Sequence, residues 1–421
     1  MNFNSGDTAW VLIAGALVIF MTPGLAFFYG GMVRSKNVLA MLMQNFVVMG
    51  IVSVLWVFVT YSLAFGVDLG GFGVIGTLHF FGLGHITQAV PGYSGPLTQH
   101  IPPLVFVIFQ MSFAIITPAI ITGSSADRLA FGPFVVFIIL WSILVYAPVA
   151  HWVFSPNGWL FKLKVEDFAG GNVVEINSGA AGVALAIVIG KRRGWPHKPM
   201  APHSVPLALL GGGILWFGWF GFNAGSALAA NTLAAHAFIN TNTAGACGML
   251  SWLVFERLRG GKSTTLGAVS GAVAGLVAIT PSCGFVDIYG ASAIGLIAGL
   301  VCAYAITLKF KAGVDDALDV GGVHLVGGIV GTLLIGVVGT SAVSGINGIL
   351  YGGSALLLLH QLIAVLACGL YSFSMTWLIA KTIDKTMGLR ISQEQENEGM
   401  DTSLHAESAY EFGSSILEAF K

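Results

Sequence analysis

Eleven runs of about twenty apolar residues limit what this chain can fold into more than any other feature. They fall at about 9–32, 39–66, 101–123, 131–153, 170–190, 204–227, 236–256, 265–281, 288–309, 322–341 and 351–381. The hydrocarbon layer of a bilayer is about 30 Å thick and a helix rises about 1.5 Å per residue, so each run is long enough to cross it. Only 9% of the residues are charged, against about 25% in a soluble domain, which is too few to cover a surface facing water. A net charge of -1 with no basic patch outside short loops excludes nucleic acid as a partner, and the composition excludes disorder, collagen and coiled coil. The expected fold class is an all-α polytopic membrane protein of eleven transmembrane helices. No basic segment with a small-residue cleavage site precedes the first run, so Met1-Asn2-Phe3-Asn4 reads as the mature start. The four cysteines (Cys247, Cys283, Cys302 and Cys368) lie in or beside apolar runs and read as small buried hydrophobes. No metal centre and no cofactor is expected.

Orientation follows from lysine and arginine, which stay on the cytoplasmic side of short loops. Sixteen of the eighteen basic residues fall in one set of loops and in the tail; Lys162 and Lys164 alone fall in the other set. The N-terminus is therefore expected outside and the C-terminus inside, the split that an odd number of spans demands. Residues 391–421 change character, with seven acids and one lysine. They read as a cytosolic tail, and their composition alone suggests a solvated, partly disordered end. The domain reading is a membrane domain over 1–390 and a tail over 391–421.

Glycine occupies 57 of the 421 positions, often at helical spacing, as at Gly267, Gly271 and Gly275, Gly295 and Gly299, Gly221 and Gly225, and Gly327 and Gly331. Small residues four apart let helix backbones approach closely in lipid, so the bundle is expected to be tight. Two segments share a second pattern. Asp167 precedes Glu175 by eight residues and Asp316 precedes His324 by eight, each with a Gly-Gly pair between them. The first opens span five and the second opens span ten, so they enter the membrane from opposite sides. This is the mark of an inverted repeat, with halves about 9–190 and 204–341 and one extra helix at 351–381, and such proteins bind solute at the repeat interface. An ionisable group inside a span costs several kcal/mol unless it faces a partner or a cavity, and it is functional by default. Glu175 and His324 are therefore expected to face each other along one polar path. Asp167 either caps its helix or touches a cation directly, and Asp316 has the same capping alternative.

Aromatic side chains form faces nearby. Trp219, Phe222 and Ser226 share one face of span six, and Phe109 and Phe113 share one of span three. Most such pairs are core packing, but an aromatic face can bind a small cation for roughly 0.5–2 kcal/mol, and apposed rings can close a pore to hydrated ions.

Taken together, these residues resemble the ammonium transporter family (Amt/Mep/Rh). The resemblance runs through Thr22-Pro-Gly-Leu-Ala-Phe-Phe-Tyr-Gly-Gly-Met-Val-Arg34, Phe109-Gln-Met-Ser-Phe113, Asp167-Phe-Ala-Gly-Gly, Gly218-Trp-Phe-Gly-Phe-Asn-Ala-Gly-Ser226, Thr280-Pro-Ser-Cys-Gly, Gly322-Val-His324 and Gly388-Leu-Arg390. It implies a plasma-membrane homotrimer with one pore per subunit, conducting ammonium and methylammonium. By this resemblance Phe113 and Phe222 form a stacked phenyl gate with Phe109 beside it. Phe154, Trp219 and Ser226 recruit the cation outside, and Asp167 supports recruitment and deprotonation. The tail resembles a regulatory C-terminus that a PII-type trimeric signal protein can meet. Two positions depart from the family pattern. Glu175 stands where the twin-histidine motif has its first histidine, as in some fungal members, and Phe154 stands where many bacterial members have tryptophan, with Trp152 or Trp159 as candidates to compensate.

The expected mechanism follows from desolvation. A bare cation in a narrow apolar pore costs many kcal/mol, so shedding the proton first is the cheaper route. Ammonia would then pass the phenyl rings, move along Glu175 and His324 and regain a proton inside. If the proton follows by a polar route, transport carries net charge. A carboxylate and an imidazole titrate as a coupled pair, which predicts a steeper pH dependence than two histidines give. The rival readings are an ammonium sensor signalling through its tail and an Rh-like electroneutral gas channel. An intramembrane enzyme is disfavoured, since no His-Glu-x-x-His motif occurs and one Glu with one His is too few for a metal.

Overall fold

A computed structural model describes residues 3–86 and 89–410. Among these residues long helical stretches account for most of the chain, namely α1 (Ser5–Met32), α2 (Ser35–Phe65), α3 (Pro103–Ile121), α4 (131–154), α5 (Gly171–Ile189), α6 (Val205–Gly225), α7 (Thr232–Gly260), α8 (Thr265–Ile279), α9 (Ile288–Ala312), α10 (Gly321–Val338) and α11 (Ala355–Met387). No strand is present among them; the only extended pairings are two isolated bridges, Asp68 with Gly76 and Leu129 with Arg390.

Nine of these stretches are long and apolar enough to cross a membrane, against the eleven expected from the sequence. Helix α8 falls short by length, at 15 residues. Helix α7 is long enough at 29 residues but carries Asn240, Thr241, Asn242 and Thr243 in its middle. Two of these, Asn240 and Thr241, are held inside the bundle. Asn240 Nδ2 donates to the carbonyls of Cys283 and Val286 at 2.9 and 2.7 Å, and Thr241 Oγ1 accepts from Asn223 Nδ2 at 2.9 Å.

Glycines set the closest crossings. A Cβ on Gly248 would lie 2.6 Å from the carbonyl oxygen of Gly271, which locks α7 onto α8. On α6, a Cβ at Gly221 would meet the carbonyl of Ala14 at 2.8 Å, so α6 lies directly on α1. Small residues at these crossings are what helix packing within lipid requires.

The connections gather into two groups, one at each end of the bundle. At the end where the chain starts, Asn4 N–H donates to His100 O (2.8 Å), Trp159 N–H to Gly73 O (3.1 Å) and Phe168 N–H to Pro281 O (3.0 Å). At the opposite end Arg34 Nε meets Asp127 Oδ2 at 3.0 Å, and Arg192 forks onto Asp315 at 2.8 and 3.0 Å. Burial alone would raise the Asp315 carboxyl, but the Arg192 bonds outweigh it and hold Asp315 below its ordinary range.

The tail is docked, which corrects the expectation of a solvated end for residues 391–410. It forms α12 (Gln393–Glu398) and α13 (Met400–His405) against the second group of loops. Glu396 takes Arg390 Nη2 at 2.7 Å and the Arg193 N–H at 2.7 Å. The Asp401 carboxylate accepts the Leu39 and Ala40 N–H groups at 3.0 and 2.8 Å, capping the start of α2. Glu411, Glu418 and Lys421, also assigned to the tail, lie outside the described residues.

Candidate functional site

The two Asp-containing segments fold alike. Each opens its helix with a wider π-type turn, at Gly171–Ile176 in α5 and Gly321–Leu325 in α10. Asp167 accepts the N–H groups of Gly170, Gly171 and Asn172 at 2.8, 2.6 and 2.8 Å. Asp316 accepts the Gly321 N–H at 2.7 Å and the Ser124 hydroxyl at 2.8 Å. In both segments the carboxylate holds the N–H five residues on, and the ionisable side chain follows three residues later.

The helices cross where a second symmetric pair occurs, Gly179 and Gly328, each four residues beyond its ionisable group. A Cβ at Gly179 would lie 2.6 Å from Leu325 Cα, and one at Gly328 would lie 3.0 Å from Glu175 Cβ. That proximity brings His324 Nδ1 to 2.7 Å from Glu175 Oε2. Glu175 is fully buried and its Oε1 has no protein partner. Both side chains line a narrow chamber of about 10 Å³, whose other walls are apolar apart from Trp219. A space of that size holds about one water-sized molecule.

The chamber lies between two wider cavities. At the N-terminal end a vestibule of about 320 Å³ is lined by Phe109, Phe113, Phe154, Asp167 and Ser226, among others. Phe113 faces this vestibule and Phe222 faces the chamber, with ring centroids 4.5 Å apart. The rings are tilted by 49° rather than stacked face to face, which corrects the expected geometry. Phe109 touches Phe113 edge-on at 5.0 Å. At the other end His324 also lines a cavity of about 130 Å³ shared with Tyr29 and Asp319, and Asp319 continues into a further cavity of about 300 Å³.

Three expectations change with the geometry. Trp219 does not reach the vestibule. It lies on the chamber side, where its Nε1–H donates to Thr280 Oγ1 at 2.8 Å. Asp167 lines the vestibule, yet both its oxygens are taken by backbone N–H groups, which is the capping alternative. Burial is the largest influence on Asp167 and pushes its carboxyl above the ordinary range, opposed by those three bonds. Neither Trp152 nor Trp159 makes up for Phe154. Trp152 donates to Val74 O at 2.7 Å and packs on Tyr371 and Trp159 instead. Ser226 does line the vestibule, its hydroxyl donating to Phe222 O at 2.8 Å.

Three further residues enter the path that sequence reasoning had not singled out. Gln110 lines the vestibule with Oε1 unpaired, and it stands inside the Phe109–Phe113 motif where a polar side chain among aromatics was the available signal. Asp319 lines both inner cavities and pairs with Lys309 Nζ at 2.5 Å. It lies between Asp316 and His324, so the segment was marked although the residue was not. Tyr93 lines the vestibule from a loop with no periodic signal at all.

A family model described as the Ammonium Transporter Family matches residues 9–410. An ammonium transporter of Mycobacterium bovis is 50% identical over 435 aligned positions, covering 97% of this chain and 91% of that protein. One from Bacillus subtilis is 46% identical, with 96% and 98% covered. Among solved structures, Mep2 of Saccharomyces cerevisiae superposes with a TM-score of 0.87 at 35% identity, over 94% of this chain and 89% of that one. With a match across almost the whole length and relatives this similar, the chain belongs to the ammonium transporter family.

Proposed function

We propose that ammonium is gathered as NH4+ in the 320 Å³ vestibule, hands its proton to vestibule water on the outer side of the phenyl pair, and crosses the chamber as NH3. The reading rests on one observation above all: a carboxylate and an imidazole 2.7 Å apart in a chamber otherwise walled by apolar side chains and Trp219. Such a chamber is hostile to a bare cation and hospitable to a small neutral base that needs one donor and one acceptor. Phe154, Ser226, Phe109 and Phe113 form the recruiting wall. Asp167 acts by fixing the backbone that presents Glu175, and Trp219 is a chamber wall rather than an outer contact. Phe113 and Phe222 are the gate. Glu175 and His324 share a proton across their 2.7 Å hydrogen bond. His324 passes ammonia to the inner cavity, where Asp319 and Glu256 are the carboxylates that can return a proton.

Further parts of the reading concern assembly. The eleven helices cross the membrane with the N-terminus outside, in halves 9–190 and 204–341 followed by a single helix, and residues 391–421 form a cytosolic regulatory tail. Three copies associate; support comes from Asn242, a polar side chain exposed on the outer face of α7, which another subunit would cover better than lipid. A PII-type signal protein is the partner proposed for the face that carries α12 and α13. The test of the pore reading is methylammonium uptake into liposomes by wild type and by His324→Leu. Loss of uptake with the fold retained supports it, and unaltered uptake refutes it.

A further inference from the structure

The vestibule is walled by phenylalanines, Phe154 among them. Among the described residues that line the cavity, Tyr93 is the one aromatic side chain that is not phenylalanine. It comes from the connection between α2 and α3, far from any motif.

Its position is held from three directions. The Tyr93 hydroxyl donates to the carbonyl of Phe154 itself at 2.8 Å. The ring meets Phe106 edge-on at 5.5 Å, and Phe106 is fully buried. The Tyr93 N–H donates to Val90 O at 3.1 Å, closing a turn through Gly92. Gly92 has φ +78 and packs so close to Pro156 that a Cβ would lie 3.3 Å from it, so the turn sits on the segment that follows Phe154.

We infer that Tyr93 is a specificity-determining residue of the vestibule. Its ring supplies, from the roof, cation-binding aromatic surface to the cavity that Phe154 also lines. The inference rests on reading this cavity as the site of cation recruitment. The physical grounds are specific. A cation is attracted to the electron-rich face of a ring, and that attraction grows as water is excluded. Leu97 and Gln99 come from the same connection and line the cavity beside Tyr93, so this segment encloses the space in which the cation loses water. A tyrosine whose hydroxyl is bound at one end presents a fixed ring at little cost in side-chain entropy. The bond to the Phe154 carbonyl fixes the Tyr93 side chain to the backbone that carries Phe154.

The test uses full-length protein in liposomes, with methylammonium uptake measured across a concentration series. Tyr93→Leu should raise the half-saturating concentration about fivefold, the equivalent of ~1 kcal/mol, with maximal uptake within about twofold. Tyr93→Phe keeps a ring and should shift it less than about twofold. The double variant Tyr93→Leu with Phe154→Trp should return to near the wild-type value, since the larger ring replaces the lost surface. Phe154→Leu separates the two levels of the argument. If it raises half-saturation while Tyr93→Leu does not, the inference about Tyr93 is wrong and the recruitment reading stands. If neither variant moves half-saturation, the recruitment reading itself fails. If Tyr93→Leu lowers maximal uptake alone and Phe154→Trp does not restore it, Tyr93 only props the loop and the inference is overturned.

Discussion

Gly179→Ala is the smallest change that separates the two halves of the pore, and its effect can be worked from distances. The new Cβ would lie 2.6 Å from Leu325 Cα, a backbone atom one residue past His324. Carbon atoms rest at about 3.5–4.0 Å, so α10 must retreat by about 1 Å. The bond from His324 Nδ1 to Glu175 Oε2, 2.7 Å long, would open beyond hydrogen-bonding range. A hydrogen bond to a charged group contributes about 1.5–3 kcal/mol, and overpacking a tight core costs about 1–3 kcal/mol. Gly179→Ala should therefore lower the thermal midpoint of the purified protein and cut methylammonium uptake at least about tenfold, on the scale of the lost bond. Gly328→Ala is the milder control. There the Cβ would meet Ile176 Cγ1 at 2.9 Å, Glu175 Cβ at 3.0 Å and the Gly171 carbonyl oxygen at 3.2 Å, each a longer approach than the 2.3 and 2.6 Å to the Leu325 backbone at Gly179. Both quantities are measurable on one preparation, by differential scanning fluorimetry and liposome uptake. Wild-type uptake and stability in Gly179→Ala would refute the claim that this crossing sets the Glu175–His324 distance.

Other predictions address the parts around the pair. Asp167→Ala leaves three N–H groups without their acceptor and should lower the thermal midpoint by several degrees, on the scale of about 1–3 kcal/mol, with Asp167→Asn intermediate. A changed half-saturation at unchanged stability would instead favour direct cation contact. Burial pushes the Asp319 carboxyl up to about 6 despite the nearby Lys309, so it should lose its charge, and the ion pair with Lys309, as the inner pH falls below about 6. Its folded value lies above the ordinary 3.8, so this group's contribution to stability declines as pH rises from about 4 to about 6 and is constant beyond. An acid limb of uptake near pH 6 that disappears in Asp319→Asn would bear this out, and a limb that survives would count against it. Asp401→Ala uncaps α2 and should speed amide exchange across residues 393–405, leaving α5 and α10 unchanged.

Much of this architecture was legible in residue order. Apolar runs gave the helices to within a few residues, because the helical rise and the thickness of a bilayer leave little choice of length. Glu175 and His324 stood out since a charge in lipid demands a partner, and the equal spacing from two aspartates pointed each to the other. What could not be read was height along the helix. Trp219 and Ser226 share a face of α6, but seven residues at 1.5 Å each place them about 10 Å apart along the axis, on opposite sides of Phe222. Asp167 was ambiguous because its role depends on where three backbone N–H groups point, which no side-chain pattern records. The docked tail and the roof tyrosine depend on contacts between segments hundreds of residues apart or within an irregular loop, where periodicity carries no information.

The account turns on an acid and an imidazole acting together in the conduit of an ammonium transporter. The most direct measurement is methylammonium uptake and ammonium-driven membrane current, each against pH, for wild type, Glu175→His and Glu175→Gln in liposomes. The account predicts a steep pH dependence in wild type that flattens in both variants, with selectivity over potassium altered as well. Identical pH profiles and identical selectivity in all three proteins would contradict it.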